Sequence, residues 1–197
     1  MVEPENTTKL TYEDYRQAPG DQRWELLYGE LVTVPSPSTA HRKASEKLFL
    51  LIQAHLDETG LGRVFPSPIE VVLSDTNVVQ PDLLFVSTQQ EHIVTDDNIQ
   101  GAPDLVVQII SRDTLDRDWK AKFDIYKQHG VREYWIVSPG GKRIWVTSGD
   151  VAPFSRIRSY GVFDDLVSSA LEGFRVPVQE IFPQSFGYSD RERDQDE

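Results

Sequence analysis

The sequence predicts an α/β domain, a central mixed sheet with helices packed on its faces, and three observations lead there. Two apolar runs, VVQPDLLFV around Asp82 and GAPDLVVQIIS around Asp104 and Gln108, are short and rich in Val, Leu and Ile, the composition of strands buried on both faces. One helical stripe precedes these runs and another follows them, with a hairpin after the second. The length of 197 residues suits a single domain with a sizeable core.

Taken in order, Thr11-Tyr12-Glu13-Asp14 has capping-box spacing and predicts a short helix that stops before Pro19-Gly20. Residues 24–27 and 30–34 read as strands around a tight turn at Tyr28-Gly29. Pro35-Ser36-Pro37-Ser38 ends that hairpin, and Ser38 or Thr39 caps a helix over 39–58. There Ala44, Leu48, Leu51, Ile52 and Leu56 share one face, and Gly60 supplies the stop. Residues 64–65 and 69–73 are strands interrupted by prolines, and Ser74-Asp75-Thr76-Asn77 turns into the run that holds Asp82. The polar stretch 87–100 predicts a loop across a sheet edge, with room for one helical turn. A helix over about 114–129 carries Leu115, Trp119, Phe123 and Tyr126 as its apolar stripe and ends at Gly130. Residues 133–138 and 143–147 are strands joined through Pro139-Gly140-Gly141-Lys142. Residues 151–163 and 166–174 read as further short strands and 178–182 as a helical turn. The expected division is an N-terminal extension over 1–9, one domain over 10–187 and a disordered acidic tail over 188–197.

Composition removes several function classes. No window approaches the ~18 apolar residues of a membrane-spanning helix. MVEPENTTKL lacks the basic and apolar regions of a signal peptide, and with no cysteine the expectation is a cytoplasmic protein. His41, His55, His92 and His129 stand apart, without zinc-site spacing. Of the net charge of −12, the last ten residues carry −3 and the first six −2, which leaves −7 for residues 7–187. That balance is no footprint for tight, non-specific nucleic-acid binding. It is compatible with an acidic metal-dependent nuclease, because bound cations offset carboxylates locally. Neither GxGxxG, GxxxxGK[ST] nor GxSxG occurs, so nucleotide binding and serine hydrolysis lose their best support.

A carboxylate in a buried strand is costly unless it is paired or holds a metal ion, so Asp82 and Asp104 need an explanation. Phosphodiester hydrolysis needs a divalent cation to polarise the phosphate and acidify a water. Magnesium takes hard oxygen ligands, often one or two carboxylates with waters, and a nearby lysine can orient the water or offset developing charge. Asp82 on one strand, residue 108 on its neighbour and Lys122 on the following helix can supply those parts. A structural role stands beside each functional one. Asp104, after Pro103 at the start of its strand, suits bonding to loop amides; Gln108 suits a satisfied core amide; Lys122 can pair with Asp118 at i, i+4. His41 lies where surface exposure or helix capping serves as well as proton transfer, and Tyr126 and Trp119 read as core. Glu25 and Glu30 alternate with core residues on the hairpin, so at most one of them faces the site.

The two apolar runs, the pattern D-x-x-x-K-x-x-x-Y-x-x-x-G-V-x-E-Y-W from Asp118 to Trp135, and the upstream WELLYGELV and PSPSTAH together resemble the Uma-type restriction endonucleases. That family belongs to the PD-(D/E)xK nuclease superfamily, and the resemblance spans roughly residues 10–183. It implies a restriction-endonuclease-like fold, Mg²⁺ or Mn²⁺ as cofactor, phosphodiester hydrolysis in DNA, and a homodimer. It makes Asp82 the aspartate of the PD motif and places Gln108 where the family usually has glutamate. Ile110 falls where the superfamily's linear motif has lysine, a role that Lys122 on the next helix takes over, and the Ile109 carbonyl adds a neutral metal ligand. The implied catalytic set is Asp82, Gln108 and Lys122, the implied metal set is Asp82, Gln108 and Ile109, and Glu30, His41 and Asp104 are accessory candidates. Two positions depart from the pattern: Tyr28 replaces a turn aspartate, and Gln108 offers one neutral oxygen in place of a carboxylate, which lowers the expected metal affinity. Either another acid such as Asp104 or Glu70 compensates, or the chain is a catalytically inactive copy that binds nucleic acid or a protein.

Overall fold

The structure, a computed structural model, describes residues 9–20, 22–110, 118–149, 154 and 156–182, with the backbone alone at 118 and 119. The expected tail over 188–197, nearly all of the extension over 1–9, and the first turn of the second long helix with Leu115 lie outside the described residues.

Local chemistry sets the first elements. The Thr11 hydroxyl accepts from Asp14 N while the Asp14 carboxylate accepts from Thr11 N, opening α1 (Tyr12–Arg16). Strands β1 (Trp24–Leu27) and β2 (Glu30–Thr33) join through Tyr28 and Gly29, whose positive φ values of 54° and 84° give the two-residue turn matched to strand twist. A Cβ on Gly29 would lie 2.7 Å from Lys9 Cβ, so glycine alone fits there. Helix α2 (Thr39–Thr59) starts at Ser38, whose hydroxyl accepts from His41 N, and stops at Gly60 in the left-handed region.

The run VVQPDLLFV is where the sequence misleads. It splits into β5 (Asn77–Val79) and β6 (Leu83–Ser87), which follow β3 (Gly62–Pro66) and β4 (Val71–Ser74) and belong to different sheets. Pro81 has no N–H to continue a ladder, so the chain passes from one sheet to the other at Gln80-Pro81 and Asp82 sits just before β6 rather than inside a strand. The expected loop over 87–100 holds its helical turn as a 3-10 helix (Thr88–Ile93) and, unexpectedly, a strand, β7 (Ile99–Gln100), which adds parallel to β4.

Then come β8 (Leu105–Ile109), α3 (Asp118–Gln128), β9 (Glu133–Ser138), β10 (Arg143–Ser148) and β11 (Arg156–Tyr160). The central sheet is six-stranded, ordered β11-β10-β9-β8-β6-β3, and mixed because β8 and β9 run parallel while its other pairs are antiparallel. A second sheet, β2-β1-β5-β4-β7, packs on it. Strand alternation divides the core. Leu83, Phe85, Leu105, Val107, Ile109, Trp135 and Val137 meet the buried stripe of α2, Ala44, Leu48, Ile52 and Leu56. The residues between them, Leu84, Val86, Val106, Tyr134 and Ile136, meet Ile125 and Tyr126 of α3 together with Leu27, Val71 and Val79 of the second sheet. Burial on both faces is what the two apolar runs predict.

Of the expected strand over 166–174 only Leu166 and Val167 are strand, in β12 (Asp165–Val167); the rest turns back to β13 (Arg175–Pro177), ahead of the short α4 (Val178–Ile181). Glu133 shapes it. Its fully buried carboxylate accepts from Trp135 Nε1 (2.5 Å), Ser168 Oγ (2.8 Å), Ser169 N (2.7 Å) and the Ser169 hydroxyl, which pulls this segment out of any ladder and onto β9. A buried carboxylate satisfied by so many donors is expensive to alter. Glu133→Gln should lower stability by about 1–3 kcal/mol in urea unfolding, because an amide NH₂ must then face Ser donors. A loss under ~0.5 kcal/mol would show the turn does not depend on that charge.

Candidate active site

The alternation that builds the core also builds the site. Gln108 lies between Val107 and Ile109 and therefore faces α3, and Lys122 stands one helical turn before Tyr126 on the face of α3 turned toward the sheet. Glu25 on β1 shares its strand face with Leu27, which packs in the same layer. Asp82 enters from the crossing between the sheets, where its N–H bonds the Val107 carbonyl (3.1 Å).

The side chains meet in one chain of contacts. Asp82 Oδ2 accepts from Ile109 N (2.6 Å) and from Gln108 Nε2 (3.2 Å), and Oδ1 pairs with His41 Nε2 (3.1 Å). Gln108 Oε1 accepts from Lys122 Nζ (3.4 Å), and the same ammonium pairs with Glu25 Oε2 at 2.7 Å. Glu25 Oε1 in turn accepts from Gln80 N (2.7 Å). The neighbours fix the Gln108 amide: flipping it would set NH₂ against the ammonium and oxygen against the carboxylate. Glu25 and Lys122 are 3% and 7% exposed, so their charges face each other with little solvent between. Burial pushes the Tyr126 and Tyr134 hydroxyls far above the usual phenol range, and the Glu25 and Asp82 charges push them further, so both stay protonated.

These groups line a groove of about 1420 Å³ whose walls include Arg23, His41, Ser67, Asp82, Gln108 and Lys122. Small-molecule pockets measure roughly 300–1,000 Å³, so this space suits a segment of a polymer better than a metabolite.

Of the residues expected from sequence, Asp82, Gln108, Ile109, Lys122 and His41 come together. Glu30 does not; it is exposed on β2, and the hairpin acid in the site is Glu25. The signal was the WELLYGE motif with its strand alternation, which allowed at most one of the two acids to face the site and did not say which. Asp104 is also corrected. It lies at the other end of β8, 1% exposed, where Oδ2 accepts from Ser87 N (2.8 Å) and Oδ1 pairs with Arg132 (3.1 Å), so it ties strands together. Glu70 accepts from the Tyr15 hydroxyl (2.9 Å) and lines no part of the groove. The alternative pairing of Lys122 with the Asp118 side chain lies outside the described residues.

The donor set can be tested against a divalent cation. No three His, Cys, Asp or Glu groups gather tightly enough among the described residues to cage a metal with protein ligands alone. Asp82 is instead the hard, sparse oxygen donor of an ion that keeps several waters, as Mg²⁺ does, and the Gln108 amide, which turns its NH₂ to Asp82 and its oxygen to Lys122, adds an oxygen only on turning over. His41 Nδ1, on the groove, is a buried polar atom with no hydrogen-bond partner among the described residues. The residues fit such an ion.

Fold and site together define the restriction-endonuclease-like class: a mixed central sheet, helices on its faces, and an acid–amide–lysine series at one groove. Residues 12–179 match the model of the Uma2 family, described as "Putative restriction endonuclease", and the chain belongs to that family. Its fold is similar to the crystal structure of a "putative nuclease belonging to DUF820" from Anabaena variabilis ATCC 29413. The TM-score is 0.73 and the identity 16%, over 88% of this chain and 97% of that one. No curated protein matches the chain. The family is nuclease-like, its class generally works with divalent metals, and DNA is the substrate it implies. Among the described residues no helix is long and apolar enough to cross a membrane.

Proposed function

We propose that this chain is a metal-dependent endonuclease hydrolysing DNA phosphodiester bonds, with Asp82, Gln108 and Lys122 as the catalytic set and Mg²⁺ or Mn²⁺ as the ion. The observation that supports this best is the unbroken series Asp82–Gln108–Lys122 on one groove. Asp82 and the Ile109 carbonyl would hold the ion, joined by the Gln108 oxygen once that amide turns over from Lys122, and the bound ion would polarise the phosphate and lower the pKa of a water so that it yields hydroxide. The remaining work belongs to the chain. Ile109 N holds Asp82 in one rotamer, and Lys122 sets a fixed positive charge where the phosphate oxygens gain negative charge. Glu25 keeps that ammonium from swinging into solvent. His41 hydrogen-bonds Asp82 from the first turn of α2. The domain over 10–187, a cytoplasmic setting and a homodimer belong to the same proposal. The dimer finds support in β11, the outer strand of the central sheet, and in Phe163 nearby, which is 98% exposed. Sedimentation velocity giving only a 22.5 kDa species would remove the dimer.

One observation favours a second reading, a silent copy that binds DNA without cutting it. Gln108 contributes no charge, and both Asp82 oxygens already have partners in His41, Gln108 and Ile109 N. Supercoiled plasmid incubated with Mg²⁺ or Mn²⁺ separates the two. The enzyme reading expects nicking that EDTA stops and that Lys122→Ala slows by about 100-fold or more. The silent reading expects no nicking from the natural chain and new nicking from Gln108→Glu, which restores a second acid.

A further inference from the structure

Arg23 immediately precedes β1 and lines the same groove as Asp82 and Lys122. Its guanidinium is held by two neutral groups: Nε donates to Gln80 Oε1 and Nη2 to Ser67 Oγ, each at 2.9 Å. Gln80 is itself fixed, because its N–H bonds Glu25 and its amide NH₂ donates to the Tyr15 hydroxyl and the Trp24 carbonyl, both at 3.1 Å. The fork therefore has one orientation and keeps Nη1 uncommitted among the described residues.

Among the described residues no carboxylate pairs with this charge. Although the chain carries −12, Arg23 makes no ion pair among the described residues. Of the three acids that line the groove, Glu25 is taken by Lys122 and Asp82 by His41, and the third, Glu46, lies one turn from Arg42 on α2 and pairs with neither arginine among the described residues. Arg42 on α2 lines the groove as well, is exposed, and has no ion pair among the described residues. A staple between β1 and the Ser67 segment requires hydrogen bonds but no charge. A pre-oriented, uncompensated guanidinium beside a hydrolytic centre is instead what a phosphate needs, since its planar fork matches two phosphate oxygens.

We infer that Arg23 and Arg42 hold backbone phosphates of a DNA strand lying along the groove, Arg23 as the pre-oriented anchor next to the bond to be cut. This rests on the DNA substrate proposed above and adds where the strand is gripped.

Fluorescence anisotropy of a labelled DNA duplex, in EDTA so that nothing is cut, tests it across 50–200 mM KCl. Arg23→Gln and Arg42→Gln should each weaken binding about tenfold and reduce the slope of log affinity against log salt by about one. Arg23→Lys should keep the slope, and Arg42→Gln, at an exposed position, should melt like the natural chain. Slopes unchanged in both glutamine variants would overturn the inference, even in a chain that cuts DNA. Failure of the natural chain to bind duplex at 50 mM KCl would overturn it too. Lost slope in a chain that never cuts supports the grip and removes the hydrolysis.

Discussion

Asp82→Asn should slow Mg²⁺-dependent DNA cleavage by about 10³-fold or more, roughly 4 kcal/mol of transition-state stabilisation, while the protein stays folded. Asparagine keeps the shape and an oxygen for the Ile109 N–H, so the strand crossing at Gln80-Pro81 survives. What disappears is the negative charge, and Gln108 cannot replace it because its amide is neutral and already shared with Lys122. The series would then contain no carboxylate except Glu25, whose two oxygens serve Lys122 and Gln80. Initial nicking rates at saturating metal, with a thermal melt of the same samples, check this. Equal rates in the two proteins would make Asp82 a structural acid.

Glu25→Ala should cost about 3–5 kcal/mol of stability, because it strands a buried ammonium. Lys122 and Glu25 shield each other from solvent, and without Glu25 the acceptor left to Lys122 among the described residues is the Gln108 oxygen at 3.4 Å. Gln80 N also loses its acceptor where the chain leaves β5. For a chain of this size about 2–4 °C of melting temperature follows each kcal/mol, so the drop is roughly 6–20 °C. Adding Lys122→Met should recover much of it, because a well-packed apolar pair can be as stable as a buried ionic one. A single variant that loses under ~1 kcal/mol would show that water reaches this pair.

The parts of the fold legible in sequence are those set by local rules. The capping box at Thr11, the Tyr28-Gly29 turn, and the α2 stripe with Ser38 and Gly60 at its ends depend on neighbours a few residues away. Burial of β8 on both faces was also readable, from Val, Leu and Ile without polar alternation. The division of VVQPDLLFV between two sheets was not, since it depends on which strands pair with each half, although Pro81 marked the place. The turn at Ser168–Leu171 was hidden because Glu133, far away in sequence, draws it out of a strand. The same limit governs the site. Motif order gave Asp82, Gln108 and Lys122, but the choice of Glu25 over Glu30 required knowing which face of the hairpin meets α3, a matter of tertiary packing.

Everything proposed for the site requires that Asp82 hold a divalent ion at the groove that Gln108 and Lys122 also line. Isothermal titration of Mn²⁺ into the natural chain and into Asp82→Asn measures that directly. The natural chain should give saturable heat from one site and the variant none above dilution. Equal heats in the two proteins would contradict it.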